Sequence, residues 1–348
     1  MYFASDNAGP AHPQVMEAIM AANTGYAMPY GADTIMDEVR SDIRTLFEAP
    51  EAAVFLVATG TAANALALAT MCAPYETVFC SPTAHIHEDE CNAPEFYSSG
   101  AKLTLVGSQD MMTPETLRAA IEAEETRGVH GPQRGPVSIT QVTERGAVYS
   151  LAELKALADV AKSFGLGVHL DGARFANAQA ALGCTAAEMT WKAGIDAVSF
   201  GGTKNGCMGV EAVIFFDPSK AWEFELRRKR GAHLFSKHRY LSAQMKAYLA
   251  DDLWLTSAKR ANANCARLAE GLATVAGARL TNRPDANMIF ADLPRAAHQR
   301  LAAAGARYYV LSGDVKTGDP DALLPCRLVC DWSITDALID QFIALAKG

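Results

Sequence analysis

The chain has 348 residues, half of them hydrophobic, enough to bury the core of one large domain and a smaller one. Its 31 Lys and Arg against 39 Asp and Glu leave a net charge of -8, which argues against a wide basic surface for nucleic acid and points to a small-molecule partner. The eight cysteines are scattered, with no CxxC pair and no secretory leader ahead of them, the pattern expected of a protein kept reduced in the cytoplasm.

In chain order, the first conspicuous stretch is Ala52 to Ala73, which is uncharged and long enough to span a bilayer. Thr59, Gly60, Thr61 and Asn64 divide it into an apolar strand, a small-residue turn and an Ala/Leu helix, so it reads as part of a soluble fold. Strands are predicted at 52–57, 77–80, 102–106, 136–142, 166–170, 197–200 and 212–216, with helical patterns between them. That alternation is expected of an α/β domain with a mostly parallel seven-stranded sheet covered by helices. Ser150 to Phe164 reads as an amphipathic helix, with a Ser150/Glu153 capping box at its start and Gly165 at its end. Thr185 and Glu188 repeat the capping pattern and are expected to open another helix.

Past about Ala250 the pattern changes to a long Ala/Arg-rich helix, apolar runs at 287–293, 307–311 and 326–330, and a final helix from about Thr335. The expected organisation is an N-terminal arm and large domain over 1–250 and a small C-terminal α+β domain over 251–348. Residues 314–325, rich in Gly, Pro and Asp, are the best loop candidate.

Parallel strands ending near Asp171 and near Phe200 would deliver VHLDGAR and SFGGTKNG to one sheet edge, where open α/β sheets bind ligands. A lysine in a partly desolvated turn has a lowered pKa, and the neutral amine of Lys204 can form a Schiff base with an aldehyde. A carboxylate one βα unit upstream, Asp171, suits the ring nitrogen of pyridoxal phosphate, whose protonated ring accepts electrons from a breaking substrate bond. Either residue alone is ordinary: most lysines after strands are solvated, and an acid at a strand exit is often a helix cap or half of an ion pair, here with Arg174. ATGTAAN (58–64) adds a tight turn into a helix N-terminus, where Gly60 and Thr61 can approach a phosphate. TAHIHEDE places an imidazole, His85 or His87, just beyond the strand at 77–80, where it can stack on a pyridine ring. The acids around it have no metal-ligand spacing, and no metal is expected.

HLDGARFANA, SFGGTKNG, ATGTAANALAL and TAHIHEDE resemble the threonine aldolases of the aromatic amino acid beta-eliminating lyase group, the bacterial low-specificity L-threonine aldolases in particular. The resemblance runs from FASDN (3–7) to CRLVCDW (326–332) and rests most heavily on HxDGAR followed by the lysine. It implies an aspartate-aminotransferase-like large domain, pyridoxal 5'-phosphate on Lys204, Asp171 at its ring nitrogen, His85 stacked on the ring, and Gly60 and Thr61 at its phosphate. It also implies that Ser5, Arg174 and Arg327 orient the substrate carboxylate, with Arg174 beside the cofactor as well. Arg239 either reaches the phosphate of a neighbouring subunit or belongs to a surface cluster with Lys237 and His238.

The implied reaction is reversible cleavage of threonine, allo-threonine or a related β-hydroxy-α-amino acid such as phenylserine to glycine and an aldehyde, in a homodimer or a dimer of dimers. One departure stands out. Where many threonine aldolases carry a histidine in an ENTH-like segment, this chain reads TQVTERG (140–146), with Thr143 or Glu144 in its place. The hydroxyl-proton base is therefore assigned to His85, through water if need be, and then to Glu90. The alternative is an aminotransferase or another pyridoxal-phosphate lyase, which would share Lys204 and Asp171. A nucleotide-dependent dehydrogenase is disfavoured because no GxGxxG follows the first strand, and a non-catalytic binding protein leaves Lys204 unexplained.

Overall fold

A computed structural model describes residues 1–348. Seven strands, β1 (Ala53–Val57), β2 (Glu76–Cys80), β3 (Lys102–Leu105), β4 (Gln133–Thr140), β5 (Val168–Gly172), β6 (Ala197–Gly201) and β7 (Glu211–Phe215), form one sheet in the order β1-β7-β6-β5-β4-β2-β3. Neighbours from β3 through β6 are parallel, and β7 runs antiparallel to both β6 and β1. The sheet is thus mostly parallel, with every residue of β1, β5, β6 and β7 buried, as helices on both faces require.

The helix Gly60–Met71 explains the membrane-like stretch. Ala62 to Thr70 are all buried, so the helix is apolar on every side because protein surrounds it, and no helix of the chain is long and apolar enough to cross a membrane. The capping box at Ser150 forms as predicted and opens the helix Leu151–Ser163. At Thr185 the outcome differs. Both capping hydrogen bonds form with Glu188, but Thr190 leaves helical space (φ -124°, ψ -109°) and only a single 3-10 turn follows, Trp191–Ala193. The chain must reverse within a few residues to enter β6, and that tertiary demand overrides the cap. The fourth strand is also displaced, starting at Gln133 and ending at Thr140 rather than spanning 136–142.

The second sheet has four antiparallel strands, β8 (Arg279–Leu280), β9 (Met288–Pro294), β10 (Tyr309–Val310) and β11 (Leu323–Val329), in the order β10-β11-β9-β8. β11 begins inside the expected loop because pairing with all of β9, from Leu323 opposite Pro294 to Val329 opposite Met288, extends it beyond its apolar run. The helices Leu253–Leu272 and Asp336–Lys347 cover this sheet with a core of their own, including Leu268, Leu272, Leu293, Leu328 and Phe342. Phe3 joins that core, edge-on to Phe342 at 4.9 Å. Burying such a ring stabilises by about 1.5–3 kcal/mol, which fastens the N-terminal arm to the second sheet. Hydrogen bonds from Phe3 N to Arg307 O (2.7 Å) and from Val329 N to Phe3 O (2.8 Å) fix its course.

Candidate active site

Because β5 and β6 are parallel neighbours, with Asp171 opposite Ser199, the last residues of both open at the same edge of the sheet. Asp171 lies at the end of β5. Lys204 follows β6 in a single 3-10 turn, Thr203–Asn205, closed by Gly206 at φ 112°, where a side chain would be strained. The N-terminus of helix Gly60–Met71 points into the same space. Thr59 caps it by accepting from Ala62 N (3.2 Å), and the preceding amides, at Gly60 and Thr61, have no acceptor within the helix. These elements enclose a cavity of about 370 Å³ lined by Gly60, Thr61, Asn64, His85, Asp171, Lys204 and Glu211, among others.

The cavity floor is one hydrogen-bonded chain. Asp171, 2% exposed, accepts from Ala173 N (3.0 Å) and from Asn64 Nδ2 (2.9 Å). Asn64 Nδ2 also donates to Glu90 Oε1 (2.9 Å), which meets His85 Nδ1 at 2.8 Å. Burial raises the pKa of Glu90, while the Glu90 hydrogen bond raises that of His85 against the opposing effect of burial. Both directions favour a proton held between Nδ1 and Oε1. Nε2 is then the nitrogen His85 offers to the cavity. Beneath Lys204, Glu211 accepts from Gly202 N (2.8 Å), and its burial pushes its pKa to about 7.

Lys204, Asp171, His85, Gly60 and Thr61 therefore share one cavity, with Glu90 directly behind His85. Ser5, Arg174 and Arg327 are gathered differently, through residues 4–7. Ser5 caps the short turn Asp6–Ala8 by accepting from Asn7 N (3.1 Å), and Asn7 reaches the cavity wall. Arg174 is buried, with Nε and Nη2 on the two oxygens of Asp6 at 2.7 and 3.0 Å. Arg327 donates from Nη2 to Ala4 O (3.3 Å) and lies 4.9 Å from the Tyr309 ring centroid. Arg239 is not in the cavity wall of its own chain: it opens the helix Arg239–Leu249 and donates to Gly25 O (2.9 Å).

In TQVTERG, Thr143 is committed to Asp110, donating to Oδ2 at 2.5 Å, and Asp110 Oδ1 accepts from Thr83 Oγ1 (2.8 Å) just before His85. Glu144 is the residue whose charge acts on His85 and Arg174. Asn64, Asp6 and Glu211 carried no signal in the sequence: an Asn one turn into a helix, an Asp in an arm and a Glu at the start of a strand are ordinary until the fold joins them to Asp171, Arg174 and Lys204.

A buried acid and a lysine at the edge of a parallel sheet, with a helix N-terminus between them, define an α/β enzyme with a covalent-catalysis site. The profile of the beta-eliminating lyase family matches residues 2–296, and the chain belongs to that family. It is 41% identical over 344 residues to the low specificity L-threonine aldolase of Pseudomonas sp. (strain NCIMB 10558), covering 98% of this chain and 96% of that protein. To the protein of the same name from Pseudomonas aeruginosa it is 42% identical over 347 residues, covering 99% and 96%. The structure of a threonine aldolase from Leishmania major superposes with a TM-score of 0.91 at 25% identity, covering 99% of this chain and 98% of that one.

Proposed function

We propose that the protein is a pyridoxal-phosphate-dependent aldolase that reversibly cleaves L-threonine, L-allo-threonine or a related β-hydroxy-α-amino acid to glycine and an aldehyde. The observation that carries the reading is the convergence of Lys204, Asp171 and the Gly60–Thr61 amides on one cavity. Its volume and donor set fit the cofactor: an amine for the aldehyde, an anion for a protonated ring nitrogen, and free amides with a threonine hydroxyl for the phosphate. When bound, pyridoxal phosphate supplies an electron sink for the pair left as the substrate's Cα–Cβ bond breaks. Asp171, fixed by Asn64, would hold the proton at the ring nitrogen. His85 would stack on the ring and accept the β-hydroxyl proton at Nε2, directly or through a water, with Glu90 anchoring Nδ1. Ser5, Arg174 and Arg327 bind the substrate carboxylate.

The activity of the Pseudomonas relatives favours carbon–carbon cleavage over amino transfer. A coupled aldehyde assay over a panel of β-hydroxy amino acids, both enantiomers included, tests this. Glycine and aldehyde in equal amounts are expected from L-substrates. An amine form of the cofactor without released aldehyde would replace the reading with an aminotransferase.

We infer also that the working unit is a homodimer or a dimer of dimers, in the cytoplasm. All eight thiols are free, which supports a reducing compartment. A second groove, about 520 Å³ and lined by Ile19, Met20, Met208, Phe235 and Leu241, shares Ala58 with the cavity wall, and Tyr26, Met28 and Tyr30 lie exposed on the segment that follows Met20. Lys204 is the only Lys or Arg lining the cavity, so a second copy that brings Arg239 to the phosphate would complete the charge balance. Mixing inactive Lys204→Ala chains with inactive Arg239→Ala chains should restore part of the activity in hybrid oligomers. No recovery in verified hybrids would remove the shared site.

A further inference from the structure

We propose that Asp6 is a positioning residue that aims Arg174 at the substrate carboxylate and makes that aim depend on the second sheet through Asn287. The proposal rests on the reading of Arg174 as a carboxylate-binding residue.

Asp6 is 5% exposed and has two hydrogen-bond partners, neither adjacent in sequence. Its Oδ1 and Oδ2 take Nη2 and Nε of Arg174, at 3.0 and 2.7 Å, and Oδ2 also accepts from Asn287 Nδ2 at 3.1 Å. Burial alone would raise its pKa, but the charges of Arg174 and Lys204 and the hydrogen bonds hold it below the usual carboxylate value. Asp6 is therefore an anion at any working pH.

A carboxylate that grips one edge of a guanidinium does two things. It fixes the plane of the fork, and it leaves the Nη1 edge, which has no hydrogen-bond partner in the protein, as the edge available to a second planar anion. Arg174 is itself 7% exposed, so without Asp6 its charge would be buried and unoriented.

The second partner, Asn287, ties this arrangement to the other half of the molecule. Asn287 is 1% exposed, stands just before β9, and spends the same Nδ2 on Cys330 O at 2.9 Å. Arg174 stands just after β5 in the large sheet. Asp6 is reached by an arm whose Phe3 sits in the second core. Arg327, the other carboxylate candidate, donates to Ala4 O of that same arm. Both arginines thus take their position from residues 4–6, and the arm takes its own from the second sheet.

The test uses the pyridoxal-phosphate-loaded enzyme and two ligands that differ in the carboxylate, glycine and methylamine, with binding followed by the absorbance of the cofactor. Asp6→Asn is expected to weaken glycine roughly tenfold or more while methylamine changes less than about twofold, and to raise KM for threonine more than it lowers kcat. Asn287→Ala keeps the ion pair, removes the tie to the second sheet, and should weaken glycine selectively by a smaller factor, about threefold. Equal weakening of both ligands by Asp6→Asn would mark a merely structural ion pair and overturn the proposal. If Asp6→Asn does not fold, the Asn287→Ala ratio decides: an unchanged glycine-to-methylamine ratio overturns the proposal. Arg174→Gln separates the premise from the inference. Selective loss of glycine there with none in Asp6→Asn overturns the role of Asp6 alone, whereas no selective loss in Arg174→Gln overturns both.

Discussion

Asp171, Asn64 and Glu90 support one another from a strand, a helix and a turn of the large sheet, whereas Arg174, Asp6 and Arg327 meet only because a short arm crosses between two sheets. The first group is held by elements packed on the large sheet alone. The second is complete only when two cores are docked. On the proposed roles, the difference separates chemistry from recognition: variants on the floor should change turnover, and variants on the arm should change the affinity for a carboxylate.

Lys204→Ala gives the largest expected effect, since loss of the covalent group commonly costs roughly 10⁴-fold or more in kcat. Threonine cleavage and loss of visible cofactor absorbance would both report it. Borohydride reduction of the wild-type enzyme followed by peptide mapping should place the pyridoxyl group on Lys204, and its appearance on another lysine would remove the assignment.

Asp171→Asn, nearly isosteric, should lower kcat by at least about a hundredfold while leaving cofactor occupancy and the affinity for glycine less affected. That is the reverse of the pattern expected for Asp6→Asn. Near-normal turnover in a fully loaded Asp171→Asn enzyme would erase the distinction between the two regions.

The two regions should also respond to pH with opposite sign. Glu211 has its pKa raised from 4.5 to about 7 by burial, so the folded protein is unpenalised below 4.5 and loses stability as pH rises toward 7, by up to about 3 kcal/mol. Asp6 has a lowered pKa, so its contribution is present above 3.8 and is lost as pH falls through the folded value. Denaturant titrations of the cofactor-free protein at pH 5 and pH 8 should show Glu211→Gln gaining on the wild type at the higher pH. An unchanged difference would mean that Glu211 does not titrate in this window.

The smallest effect is expected at Glu90→Gln. It removes the hydrogen-bonding carboxylate that raises the pKa of His85, so the acidic limb of kcat/KM should move to lower pH, with turnover down about tenfold. A limb that stays in place would show that His85 is not the titrating base.

The floor was the more legible region in the sequence, for a physical reason. Asp171 and Lys204 follow apolar strands whose parallel pairing puts them at one edge, and ATGTAAN announces a helix start, so local pattern and topology locate all three. What joins them did not show. Asn64 looks like any polar residue in an Ala-rich helix until its Nδ2 is found between Asp171 and Glu90. Glu211 begins β7, the one antiparallel strand, and only its register opposite Gly201 brings it under the lysine turn. The arm was legible only through family resemblance. No spacing relates FASDN to an arginine after β5 or an asparagine before β9, because their meeting depends on how two cores dock. The failed helix at Thr185 has the same origin: local capping chemistry was read correctly, and the distance to β6 decided the outcome.

The course of the arm bears on how the protein is made. Phe3 leaves the ribosome long before Arg307 and Val329, the residues whose backbone it pairs with. Until β11 has emerged, Val329 is not there to hold Phe3, and the arm that carries Asp6 to Asn287 is only half seated. Asp6 and Arg174 are both made early, but the arm that brings one to the other takes part of its seat from residues made last. On the proposed roles, a chain that stops before β11 would carry the lysine but lack both Arg327 and the Val329 contact that seats the arm bearing Asp6.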